Sequence, residues 1–169
     1  MASLDGLIEI FLQPGDLFVA TPGYQIRTIL GSCVSMTLWH PPTGTGGMSH
    51  FLLPTRGTAV KEQEWDGRYG DEALQMMLSQ LRNMGISPKQ CQAKIFGGGN
   101  MFPDHMRDGV INVGMRNGQA ARELMLQHGI PLVSECLYGV GHRQIIFDVS
   151  KGDVWVHQVR PSRGTLPVT

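Results

Sequence analysis

Short runs with alternating polar and apolar residues dominate the chain, and turn residues break them every few positions. After Cys33, Val34, Met36 and Leu38 alternate with Ser35 and Thr37, which predicts a strand with one buried face. His40-Pro41-Pro42-Thr43-Gly44-Thr45-Gly46 cannot continue a strand and reads as a turn. Met48 to Leu53 is apolar again and stops at Pro54, so this region predicts a hairpin. Upstream, Leu7–Leu12 and Leu17–Ala20 predict short strands about Gln13-Pro14-Gly15-Asp16. Ile26–Leu30 predicts a third, running into a Gly31-Ser32-Cys33 corner.

Helical periodicity appears twice. In Asp71–Met84, Leu74, Met77, Leu78 and Leu81 follow the i, i+3, i+4, i+7 rule, and Gly85 supplies the stop. In Asn117–His128, Ala121, Leu124 and Met125 face inward, and Gly129 ends the helix. Thr55–Gly70 is polar and aperiodic. It predicts a long surface loop, anchored by Trp65 and edging any site near His50. Ala93–Phe96, Ile130–Leu137, Gln144–Val149 and Val154–Val159 predict further strands, and Ile111–Met115 is a short apolar segment. Strands outnumber helices without a strict βαβ alternation. The expected class is α+β: mixed or antiparallel sheets, layered and sandwich-like, flanked by two main helices. One domain is expected over residues 1–160, with a loose tail over 161–169.

Composition narrows the function classes. The 14 basic and 14 acidic residues cancel, which argues against a general nucleic-acid or membrane-surface binder. The three cysteines, Cys33, Cys91 and Cys136, are odd in number and form no C-x-x-C, so a disulfide framework is not indicated. Leu7–Leu12 is too short and too interrupted for a signal peptide, and no apolar run approaches a membrane span. The expectation is a cytoplasmic protein with reduced thiols and no membrane insertion.

Candidate chemistry centres on Cys33 and His50, 17 residues apart across the hairpin. A thiol with a free pKa of about 8.5 needs a nearby base to act as a nucleophile at neutral pH. Two strands of one hairpin can supply that proximity. Each residue alone also fits a structural role, a cysteine at a strand end or a satisfied core histidine. The register needed for the two to share a face is not readable from pattern. Ser32 is the rival nucleophile, but it lacks the G-x-S-x-G elbow and a neighbouring acid. Gly97-Gly98-Gly99-Asn100 follows a strand as a phosphate loop would. It lacks the Lys-Ser/Thr of a P-loop and reads better as a tight backbone crossing. The six histidines show no H-E-x-x-H or paired ligand spacing, so no metal site is indicated. Arg143, in the glycine-rich turn Tyr138–Arg143, reads as a structural ion-pair partner, with contact to a substrate as the alternative.

Four ordered blocks carry a resemblance. Leu30-Gly31-Ser32-Cys33-Val34, Gly46-Gly47-Met48-Ser49-His50-Phe51-Leu52-Leu53-Pro54, Lys94-Ile95-Phe96-Gly97-Gly98-Gly99-Asn100-Met101-Phe102 and Asn112-Val113-Gly114-Met115-Arg116-Asn117 resemble the chemoreceptor glutamine deamidases (CheD). The likeness runs from about Gln13 to Val159. It implies a cysteine hydrolase that converts glutamine side chains of bacterial chemoreceptors to glutamate, on a fold shared with some deamidating toxins. It implies Cys33 as nucleophile and His50 as general base. Thr28 is the nearest match to a threonine the family uses upstream of the Leu-Gly-Ser-Cys block. The resemblance also implies receptor cytoplasmic helices as substrate and a CheC-type response-regulator phosphatase as partner.

The chemistry requires no cofactor. His50 takes the Cys33 proton, the thiolate attacks the glutamine δ-carbon, and N–H donors such as that of Cys33 itself hold the oxyanion. Water then hydrolyses the thioester. The rival readings are a docking module that regulates the phosphatase with weak or no deamidase activity, a methylesterase or transamidase using the same thioester, and an inert domain with a chance Cys-His pair.

Overall fold

The computed structural model describes residues 6–102 and 112–160. Nine strands and two α-helices occur among them. The strands are β1 (Ile8–Phe11), β2 (Leu17–Ala20), β3 (Tyr24–Leu30), β4 (Val34–His40), β5 (Thr45–Ser49), β6 (Gln92–Gly97), β7 (Leu132–Leu137), β8 (His142–Asp148) and β9 (Asp153–Val159). The helices are α1 (Gly70–Asn83) and α2 (Val113–Gln127). One sheet has the order β1-β3-β8-β9 and the other β2-β5-β4-β6-β7. Each mixes parallel and antiparallel pairs, β1 with β3 and β6 with β7 being the parallel ones. The α+β expectation, with mixed layered sheets and two helices, is what the structure contains.

Alternation explains the layers. The two faces of β4 diverge because side chains two apart share a face. Val34, Met36 and Leu38 pack with Leu74, Met77, Leu78 and Leu81 of α1 and with Ala121 and Met125 of α2. On the other side, Ile26, Leu30, Ile145 and Phe147 of the four-stranded sheet meet Met48 and Phe96 of the five-stranded one. Cys33 and Trp39 are packed against this second cluster. The order is therefore sheet, sheet, helices, with two apolar layers between them.

Several boundaries differ from the sequence reading. The turn after β4 is confined to Pro41–Gly44, and Thr45, Gly46 and Gly47 are strand residues. Gly46 sits where a Cβ would come within 2.4 Å of the Leu38 carbonyl. The glycines here serve close strand packing rather than a bend. The strand also stops at Ser49, and only Phe51 continues the ladder, as an isolated bridge to Val34. Helix α2 starts at Val113, four residues before the Asn117 start expected from its apolar spacing. Asn112 caps it by accepting a 2.9 Å bond from the Met115 N–H, the usual role of asparagine at that place. Ile111 and the 161–169 tail lie outside the described residues.

The 55–70 loop is tied down by Arg56, which contacts both carboxylate oxygens of Glu72 at 2.6 and 2.7 Å and lies over Tyr69. Trp65 is only half-buried, so the anchor is the Arg56–Glu72 pair rather than the indole.

Candidate functional site

His50 follows β5, at the point where the strand leaves its ladder. Its backbone N–H donates to the Asp16 carbonyl at 3.0 Å, and its own carbonyl accepts from the Gly15 N–H at 2.8 Å. The Gln13–Asp16 turn therefore clamps the backbone of His50 on both sides. The side chain points the other way, between the sheets. Its Nδ1 lies 2.7 Å from Thr28 Oγ1 on β3, and Thr28 Oγ1 in turn donates to the Leu12 carbonyl at 2.8 Å. A hydroxyl has one proton. Since Thr28 gives its proton to Leu12, His50 Nδ1 must be the donor to Thr28. The ring proton is then on Nδ1, and Nε2 keeps its lone pair.

The hairpin register, unreadable from sequence, is set by the pairs Thr37–Met48 and Val34–Phe51. Extending it one residue puts Cys33 opposite Leu52 and Ser35 opposite His50. Cys33 and His50 are then diagonal neighbours on one face, a relation that keeps backbones roughly 7–8 Å apart. Both also turn toward the other sheet: Cys33 packs on the inter-sheet cluster, and His50 reaches Thr28 of β3.

The corner that carries Cys33 is held by the glycine-rich segment after β6. Gly98 N–H donates to the Cys33 carbonyl and Gly99 N–H to the Gly31 carbonyl, both at 2.9 Å. Gly97 has φ 114°, and a Cβ there would stand 2.2 Å from the Cys33 carbonyl oxygen. Only glycine fits both the angle and the approach. This segment is a tight crossing that supports the Cys33 turn. Arg143, buried on β8, donates from Nη1 to the Gly97 carbonyl at 3.2 Å and from Nη2 to the Tyr138 carbonyl. It joins the loops behind that crossing through carbonyls rather than through an ion pair.

Asn117 completes the framework and was not singled out by sequence reasoning. It is fully buried on α2, and its Nδ2 donates to the Ser32 carbonyl at 3.0 Å and the Leu52 carbonyl at 2.8 Å. These carbonyls belong to the residue before Cys33 and to the residue two after His50. In the sequence Asn117 stands only as the expected first residue of the second helix and the last residue of the fourth resemblance block, and neither position assigns it a role.

Burial sets the resting charge. His50 is 3% exposed, and desolvation pushes its imidazole down to about 4, with the Asp16 carboxylate opposing. Burial pushes the Cys33 thiol up. The resting pair at neutral pH is thus a thiol and a neutral imidazole, not the lowered thiol that proximity to an imidazole alone would suggest. A stability effect follows. Between pH 6.5 and about 4 the unfolded chain holds a His50 proton that the folded protein excludes. The contribution is therefore complete above pH 6.5 and lost as pH falls to about 4, worth about 3 kcal/mol. Urea unfolding at pH 7, 5.5 and 4 should show this slope in the wild type and a flatter one in His50→Gln.

Two kinds of comparison bear on the chain. A family model described as "CheD chemotactic sensory transduction" matches residues 52–158, a span that opens just after His50. A "probable chemoreceptor glutamine deamidase CheD 2" of Albidiferax ferrireducens is 66% identical over 91% of this chain and 89% of its own length. A similarly named protein of Pseudomonas savastanoi pv. phaseolicola is 45% identical over 90% and 86%. One from Leptospira interrogans is 34% identical over 91% and 95%.

Proposed function

Because this chain belongs to the CheD family, we propose that it is a protein-glutamine deamidase that hydrolyses glutamine side chains of bacterial chemoreceptors to glutamate and releases ammonia. The observation that carries the mechanism is the Thr28–His50 contact, which leaves Nε2 as a base on the face that Cys33 shares. Thr28 orients, His50 is the general base, and Cys33 is the nucleophile.

His50 Nε2 takes the Cys33 proton as sulfur attacks the glutamine δ-carbon. A preformed thiolate is not needed, since transfer and attack proceed together from the neutral pair. The C–S bond forms and the carbonyl π pair moves to oxygen. As that oxyanion collapses, the C–N bond breaks and imidazolium gives its proton to the departing nitrogen, so ammonia leaves and a γ-glutamyl thioester remains. Water, deprotonated by His50, attacks the thioester. The products are glutamate and the Cys33 thiol.

The substrate is a cytoplasmic helix of a chemoreceptor, the second partner a CheC-type phosphatase, and the compartment the cytoplasm. No helix among the described residues is long and apolar enough to cross a membrane. The test is incubation with a receptor cytoplasmic fragment, read by peptide mass spectrometry and an ammonia assay. A gain of about one mass unit at defined glutamines, with matching ammonia, is expected for amide hydrolysis through a thioester. Methanol or a new amide cross-link would replace the deamidase assignment with esterase or transamidase. Tight phosphatase binding with no mass change on several receptors would replace it with the docking role.

A further inference from the structure

We infer that Asn117 is a positioning residue for the oxyanion donor: from α2 it fixes the Ser32–Cys33 peptide so that the Cys33 N–H faces the reacting carbonyl oxygen. This rests on the deamidase reading of the same site and extends it to a residue that touches neither substrate nor sulfur.

The argument begins with one peptide unit. The Ser32 carbonyl and the Cys33 N–H belong to the same planar group. The described residues contain no cis peptide bond, so the C=O and N–H bonds point in opposite directions from the amide. Any group that holds the carbonyl therefore aims the N–H. Asn117 Nδ2 holds it at 3.0 Å. Among the described residues the Cys33 N–H has no hydrogen-bond partner, whereas its carbonyl is taken by Gly98 N–H. The Ser32–Cys33 peptide is thus held at its one acceptor by Asn117, and the peptide after it by Gly98, while the Cys33 donor stays available. Donation into a carbonyl also polarises the N–H on the far side of the amide.

A second observation separates this from ordinary core satisfaction. Asn117 is 0% exposed, yet its Oδ1 is buried with no hydrogen-bond partner. Such an oxygen costs stability. Both Nδ2 protons are spent on the Ser32 and Leu52 carbonyls, so turning the amide over would set its oxygen against two other oxygens. The side chain keeps one orientation at the expense of its own acceptor. What that orientation secures is the link between the segment of the nucleophile and the segment of the base. A donor already aimed at the point where charge develops needs no reorganisation during attack.

Asn117→Asp keeps size and shape but presents oxygen to the two carbonyls above the pKa of the introduced carboxyl. Three readouts are compared in wild type and variant: kcat and KM on the receptor fragment, affinity for a peptide aldehyde made from glutamate semialdehyde, and Cys33 alkylation by iodoacetamide. The aldehyde builds an oxyanion-bearing adduct on Cys33, and alkylation builds none. At pH 8 we expect kcat to fall roughly 100-fold and aldehyde affinity to fall in parallel, the scale of losing one oxyanion donor. KM and alkylation should stay within about threefold, since neither draws on that donor. Lowering the pH should recover part of kcat, because a carboxyl buried among carbonyls stays protonated more readily and can then donate. A retained kcat, or alkylation falling as far as kcat, would overturn the inference.

The wild type supplies a check that needs no variant. Its Cys33 amide proton should move downfield in NMR when the aldehyde binds, and an unmoved signal would overturn the inference even if Asn117→Asp fails to fold. A wild type that takes the aldehyde but releases no ammonia from receptors would sink the deamidase reading. The contrast between aldehyde and alkylation would still decide Asn117.

Discussion

Cys33→Ala is expected to abolish ammonia release, a fall of at least about 10⁴-fold, because it removes the sulfur on which the thioester forms. The described fold should survive. Cys33 is only partly buried, and what holds its turn is backbone: its carbonyl to Gly98, the Gly31 carbonyl to Gly99 and the Ser32 carbonyl to Asn117. Thermal unfolding of the variant should therefore match the wild type closely. Cys33→Ser is expected to lose at least about 10³-fold, since a hydroxyl asks for a stronger base than an imidazole whose conjugate acid lies at about 4. Cys91 is the internal control. It is buried, its thiol contacts the Ser87 carbonyl at 3.7 Å, and burial pushes it up to about 11. Cys91→Ala should keep full activity. Ammonia release measured with all three variants checks the set, and substantial activity in Cys33→Ala would end the assignment.

The second large effect concerns His50 and Thr28. His50→Ala should lower kcat by about 10³- to 10⁴-fold, toward the upper range for a positioned acid–base group. Thr28→Val should cost about 100-fold by a different route. It removes the acceptor of the Nδ1 proton and leaves that N–H buried beside a methyl group, so the tautomer with a free Nε2 loses its advantage. Thr28→Ser restores the hydroxyl and should return to within about threefold of wild type. Because Thr28 acts through His50, the double variant Thr28→Val/His50→Ala should be no slower than His50→Ala alone. The pH profile carries the sign. The base must be neutral, so kcat/KM should fall as pH drops through about 4 in the wild type. An acid limb near the ordinary imidazole value of 6.5 would contradict the burial of His50.

These predictions draw on features that were unequally visible in the linear chain. The period-two run Val34–Leu38 and the period-3.6 run Leu74–Leu81 identify their elements because one face of each is buried, and burial imposes its repeat on the sequence. Cys33 and His50 stand out for a local reason too, since one hairpin carries both. The extent of that hairpin is not marked in the same way. Thr45 and Gly46 read as the end of a turn, and only the neighbouring strands explain why a side chain is excluded at Gly46. The start of α2 was misplaced because its first turn is marked by a polar cap rather than by apolar spacing.

By itself, the sequence determined the element types, the α+β class, the two helices, the family resemblance and the pairing of a cysteine with a histidine. All of these rest on short-range periodicity or on ordered motifs. The tertiary structure alone shows what Thr28, singled out in the sequence only through the resemblance, and Asn117 contact. Thr28 reaches His50 from the opposite sheet, 22 residues away, and Asn117 reaches the Ser32 carbonyl from α2 over 85 residues. Neither contact leaves a periodic trace, because each is one hydrogen bond between elements brought together by burial of the two apolar layers. The same burial holds His50 neutral, and no spacing along the chain encodes a loss of solvent.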